Sequence, residues 1–158
     1  MIKLANFFVS LSFAGYIKLI PPGTFASFLS IVILFPIVEY KIISLEIFIA
    51  VFIVIFLLSL FFINKFSTYT QSHDSKIIVI DEFLGIYLIL LFYDQIKIIN
   101  PYVTMMLIFV LFRFFDILKI FPANIVDKRL KSAFGVILDD LIAGIYTIII
   151  LYIFNAYY

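Results

Sequence analysis

Cysteine and tryptophan are absent from this chain of 158 residues, histidine occurs once, and charged residues make up only 13% of it. With no thiol there is neither a disulfide framework nor thiolate chemistry. A net charge of +1 offers no basic surface to hold a nucleic acid, so no such partner is expected. Soluble domains carry about 25% charged residues. The low charge here, with 66% hydrophobic residues and a mean hydropathy of +1.26, excludes a soluble enzyme and a disordered tail. One integral membrane domain over residues 1–158 remains. The abundant Phe and Ile carry no functional message, because lipid accepts any bulky apolar side chain.

A spanning helix needs about 20 mostly apolar residues. Runs without a titrating side chain extend from Leu19 to Val38, Ile47 to Asn64, Phe83 to Tyr93, Ile98 to Phe112 and Leu141 to Tyr158. The third and fourth reach spanning length only by taking in edge charges, among them Asp81, Glu82 and Arg113. The expected fold is therefore all-α and polytopic, with helices near 24–38, 45–64, 77–93, 98–117 and 136–156. Pro21 and Pro22 set the start of the first. Leu4 to Ile17 is apolar but interrupted by Asn6, Ser10, Ser12 and Gly15. It is read as an interfacial or re-entrant helix and not as a cleaved signal, since Lys3 alone makes a poor n-region. Five crossings place Lys3, Lys18, Lys65, Lys76, Arg113, Lys119, Lys128, Arg129 and Lys131 on one side and Lys41 and Lys97 on the other. The positive-inside rule makes the first side cytoplasmic.

Four carboxylates sit at helix edges where each, at the bilayer centre, would cost about 2.5–3.5 kcal/mol. Ile80-Asp81-Glu82-Phe83-Leu84-Gly85 parallels Leu138-Asp139-Asp140-Leu141-Ile142-Ala143-Gly144. Residues at i and i+4 share a helix face, so each acidic pair stands above small residues that let two helices approach. Facing each other, such helices would offer oxygen ligands to a hard cation such as Mg2+, Mn2+ or Ca2+. Alternatively, the acids are solvated helix starts favoured by the dipole. Arg113, Asp116 and Lys119 form a stripe that either neutralises itself or presents cations to phosphate. In Pro22-Gly23-Thr24-Phe25-Ala26-Ser27, Thr24 suits an N-cap, and the helix start with its two hydroxyls suits an anion. His73-Asp74 lies in the loop before the third helix, where a lone His is commonly an ordinary surface residue. All of these features fall on the same side of the membrane.

Pro22-Gly23-Thr24-x-x-Ser27, His73-Asp74-x4-Val79-x-Asp81-Glu82-Phe83-x-Gly85, Phe112-Arg113-x-x-Asp116-x-x-Lys119-x-x-Pro122-x4-Asp127 and Gly135-Val136-x-x-Asp139-Asp140-x-x-Ala143-Gly144 follow in this order. Together they resemble the phosphatidylglycerophosphatase A family over Gly15 to Tyr146. The chain departs from the family pattern at Ala26, Ile120, Ser132 and Ala133, while every acidic motif position is present. The resemblance implies a Mg2+-dependent enzyme of the bacterial inner membrane that hydrolyses the lipid phosphatidylglycerophosphate to phosphatidylglycerol and phosphate on the cytoplasmic side. It further implies Asp81, Glu82, Asp139 and Asp140 as catalytic metal ligands, with Asp116 beside them. His73 or one of the acids would move the proton. Thr24, Ser27, Arg113, Lys119 and Lys128 would hold the phosphate. The other readings are a small cation or proton carrier using its intramembrane carboxylates, and an inactive member of the family. Oligomeric state is not readable from the sequence.

Overall fold

In a computed structural model of the chain, residues 2–17, 19–71, 75–98 and 100–157 are described, with the side chain of Asp127 outside that set. The described residues form helices with no strands. They are α1 (Ile2–Val9), α2 (Pro22–Glu39), α3 (Leu45–Thr70), α4 (Ile80–Leu91), α5 (Tyr93–Ile96), α6 (Pro101–Leu118), α7 (Ala123–Arg129) and α8 (Ala133–Tyr157). Of these, α2, α3, α6 and α8 are long and apolar enough to cross a membrane. The chain is an all-α, multi-pass membrane protein.

Local chemistry explains where the helix ends depart from expectation. Helix α2 begins at Pro22, two residues early, because proline at the first helical position has no N–H to leave unpaired. Pro21 therefore occupies the capping position, and Thr24 lies inside the first turn and caps nothing. Helix α3 opens on Ser44, whose hydroxyl accepts from the Ile47 N–H at 3.5 Å. It runs six residues past 64, since Lys65 marks the edge of the apolar stretch and not a helix stop. The reversal comes at Gln71, in the left-handed conformation at φ 53°. Helix α6 starts at Pro101, three residues late, where Asn100 accepts from the Tyr102 and Val103 N–H groups at 2.9 and 3.3 Å. The seven-residue α7, in the link between 113 and 135, was not expected.

The expected third span is the short α4, twelve residues covering about 18 Å. It is buried on every side: Leu84, Ile86 and Ile89 are fully enclosed, and Phe83, Tyr87 and Leu90 nearly so. A helix apolar all round belongs in a core, and here α2, α3, α6 and α8 surround it. After a break at Phe92, α5 continues the path. At one end Gly23 of α2 meets Glu82, and at the other the Tyr93 hydroxyl donates to Glu39 Oε2 at 2.5 Å. So α4 and α5 together run the same depth as α2.

Helix α1 has eight residues, about 12 Å, too few to cross. It lies against α3, and the chain then turns through three positive-φ residues, Leu11 to Phe13. The Val79 N–H donates to the Val9 carbonyl at 2.9 Å, tying this segment to the loop that leads into α4.

The tightest crossing is α4 on α8. A Cβ on Gly85 would stand 2.5 Å from the Phe112 ring and 3.1 Å from the Asp140 carbonyl, and one on Gly144 would stand 3.0 Å from the Gly85 carbonyl. Small residues let the backbones touch, as membrane helices need when no water drives them together. Gly85→Ala is therefore expected to cost about 1–3 kcal/mol despite its better helix propensity. It should lower the melting temperature in detergent by several degrees; an unchanged melting temperature would contradict this packing.

Candidate active site

The α4–α8 crossing sets two acidic helix starts side by side. Asp81 and Glu82 fall in the first turn of α4, and Asp139 and Asp140 in the second turn of α8. Asp81, Glu82 and Asp140 each aim one carboxylate oxygen into a shared space, all within 4.8 Å of one another. Asp140 is 4% exposed, and Asp81 Oδ1 and Glu82 Oε2 are buried with no hydrogen-bond partner. Fully ionised, three carboxylates at this spacing would repel by about 3 kcal/mol per pair even at an effective dielectric of 20. A bound cation, a neighbouring basic side chain or a proton relieves that repulsion.

Two cations stand beside them, each held by another acid. Arg113 Nη1 donates to Asp116 Oδ2 at 2.5 Å and lies 4.0 Å from Glu82 Oε1, with all three side chains about 14% exposed. Lys119 Nζ donates to Asp139 Oδ2 at 2.7 Å. Lys119 ends α6 in the left-handed conformation, φ 43°, which directs the chain away towards α7. Gly23 makes room for the first group: a Cβ there would stand 2.0 Å from Glu82 Oε1 and 3.1 Å from Arg113 Nη1.

These groups line one cavity of about 700 Å³ at the end of the bundle where α2, α4 and α8 begin and α6 ends. The structure thus divides the expected ligand set. Asp81, Glu82 and Asp140 converge, whereas Asp139 and Asp116 line the same cavity but turn to Lys119 and Arg113. Lys128 is on the wall as expected. Thr24 and Ser27 are not: the Ser27 hydroxyl is buried and donates to the Gly23 carbonyl at 2.7 Å, its commitment as an in-helix serine. Pro22 and Gly23 are what that turn contributes. His73 lies outside the described residues. Ser75, Lys76 and Lys131 also line the cavity and were not anticipated. They flank the acidic motifs by a few residues, but nothing in their spacing marks them as facing inward.

A multi-pass helical membrane protein with an acidic, cation-flanked cavity at one end of its bundle is the class these features define. The sequence profile of the family described as Phosphatidylglycerophosphatase A matches residues 7–155. A Haemophilus influenzae protein named phosphatidylglycerophosphatase A is 31% identical over 131 residues, which is 83% of this chain and 77% of that protein. An Escherichia coli protein of the same name is 32% identical over 80 residues, 51% of this chain and 44% of its own length. No solved structure matches. The chain belongs to the phosphatidylglycerophosphatase A family.

Removing one member of a buried ion pair strands the other charge, at a cost of about 3 kcal/mol or more. Glu82 still stands 4.0 Å from Arg113, so Asp116→Ala should lower unfolding stability in detergent by less than that, about 1–3 kcal/mol. A loss below 0.5 kcal/mol, on the order of a solvent-exposed pair, would show that Arg113 does not depend on Asp116.

Proposed function

We propose that this protein removes the terminal phosphate of phosphatidylglycerophosphate, giving phosphatidylglycerol and inorganic phosphate. Family membership supplies the reaction. The observation that carries its location is the meeting of three carboxylates from two helices beside two ion-paired cations in one cavity. The diacylglycerol tails stay in the bilayer, so the chemistry belongs at headgroup depth, which suits a cavity at an end of the helix bundle.

Mg2+ is the proposed cofactor, held by Asp81, Glu82 and Asp140. Their all-oxygen donor set suits a hard divalent ion, and the two orphaned buried oxygens of Asp81 and Glu82 are what such a site would leave without its ion. When bound, the ion would polarise phosphoryl oxygens and acidify water. The chain's own groups do the rest. Arg113 and Lys119 hold the non-bridging phosphate oxygens and stabilise charge as the bond to the glycerol oxygen breaks. Asp116 and Asp139 are positioning residues that keep those two cations aimed at the cavity. Water attacks phosphorus; a carboxylate of the cavity or His73 takes its proton and hands it to the glycerol oxygen as the P–O bond breaks. The site end carries Lys3, Lys65, Lys76, Arg113, Lys119, Lys128, Arg129 and Lys131 among the described residues, against Lys41 and Lys97 at the far end. That asymmetry supports a bacterial inner-membrane protein with its site facing the cytoplasm. A carrier would need comparable groups along a path to the far end, where Glu39 is bonded to Tyr93 and Asp94 to Lys41.

The test is phosphate release from phosphatidylglycerophosphate by the purified chain in detergent with Mg2+. Asp140→Asn should abolish turnover. Asp139→Asn should reduce it by about 10–100-fold, the usual effect of losing a group that orients a primary one. Equal, near-normal activity in both variants would overturn the assignment. Gly23→Ala should fold normally, since its clash is with flexible side-chain ends, and yet lose activity through displaced Glu82. Normal activity in this variant would show that Glu82 does not need its present place.

A further inference from the structure

Beyond the groups used above, the cavity is lined by Lys76, Lys128 and Lys131, which come from the loop before α4, from the last turn of α7 and from the link into α8. All three are exposed, whereas the Asp81, Glu82 and Asp140 oxygens are buried, so the lysines occupy the mouth and the carboxylates the floor. Arg113 and Lys119 are already committed to Asp116 and Asp139, but none of the three mouth lysines pairs with a described acid. Leu130, 43% exposed, lines the cavity between Lys128 and Lys131. An apolar side chain between two cations suits the level at which an anionic headgroup joins its acyl chains. The volume of about 700 Å³ is that of a site for a whole small ligand, much larger than a single phosphate needs.

We infer that Lys76, Lys128 and Lys131 form a second anion subsite at the cavity mouth, which holds the non-reacting phosphodiester of the lipid while the terminal phosphate lies at the floor. This rests on the function proposed above and adds the basis of selectivity. With the terminal phosphate at the floor and the tails in the bilayer, the glycerol and diester must pass the mouth. A lipid whose only phosphate is esterified directly to diacylglycerol, such as phosphatidic acid, brings no second anion there. The subsite therefore favours lipids with two phosphates over those with one.

The full chain and its Lys76→Gln/Lys128→Gln/Lys131→Gln variant would be compared on phosphatidylglycerophosphate and on phosphatidic acid, in micelles of neutral detergent. Three exposed charge contacts at the strength usual for surface pairs give an expected fall of about tenfold in the ratio of the two kcat/KM values, mostly through KM for the diphosphate lipid. The corresponding triple Lys→Arg variant should keep the ratio. Equal losses on both lipids, no loss, or a loss confined to micelles doped with anionic lipid would overturn the subsite; the last would identify a membrane-adsorbing patch. Failure of the wild-type chain to release phosphate from phosphatidylglycerophosphate would instead remove the proposed function itself, and the subsite with it.

Discussion

Three carboxylates held within 4.8 Å of one another in a membrane bundle form the constraint to which the other features answer. Their mutual repulsion favours separation of α4 and α8, yet the glycine contacts at Gly85 and Gly144 press these helices backbone to backbone. Packing along the full length of α4, enclosed by four neighbours, opposes that repulsion. The buried Arg113–Asp116 pair and the Lys119–Asp139 pair flank the triad, and neither pair adds net charge. At the floor of the cavity a bound cation is well placed to balance the triad, with the exposed Lys76, Lys128 and Lys131 farther out at its mouth. Instability of this kind, stored at one end of a well-packed bundle, is what a binding site for a divalent ion requires.

The bundle also explains why a short helix can stand where a span was expected. Helix α4 is enclosed by α2, α3, α6 and α8, so its length answers to its neighbours more than to bilayer thickness. Its apolar residues on every side announced burial, but a run of that kind in a hydrophobic chain reads equally well as a span. Helix ends were legible where a capping serine governed them, as at Ser44, and missed by two or three residues where Pro22 and Pro101 open α2 and α6. They were misplaced where charge was taken for a boundary, as at Lys65. Helix α7 lacked any signal beyond a polar stretch of ordinary composition.

The acidic positions of the site were legible because carboxylates in a hydrophobic chain demand an account, and because the two pairs share an offset to small residues. Which carboxylate does what was not legible. Asp139 and Asp140 are neighbours in sequence, but a helix turns about 100° per residue, so one faces Lys119 and the other the triad. Asp116 stands three residues after Arg113 and pairs with it along the same helix, a local bond that competes with any role as a ligand. The hydroxyls of Thr24 and Ser27 pointed to an anion site on the premise that Thr24 caps α2 and opens its first turn to a ligand. With Pro22 as the first helical residue, the Ser27 hydroxyl turns back to its own helix, and the bare backbone at Gly23 is what faces Glu82.

The most direct test is the thermal stability of the purified chain in detergent as Mg2+ is added, for the wild type and for Asp140→Asn. A ligand that binds the folded state at a hundred times its dissociation constant stabilises it by about 2.7 kcal/mol. Wild-type protein should therefore melt several degrees higher with saturating Mg2+. The variant, relieved of one repelling charge, should melt higher than wild type without the ion and gain little from it. A wild-type melting temperature indifferent to Mg2+, or an equal gain in Asp140→Asn, would contradict the view that this carboxylate cluster is built for a cation.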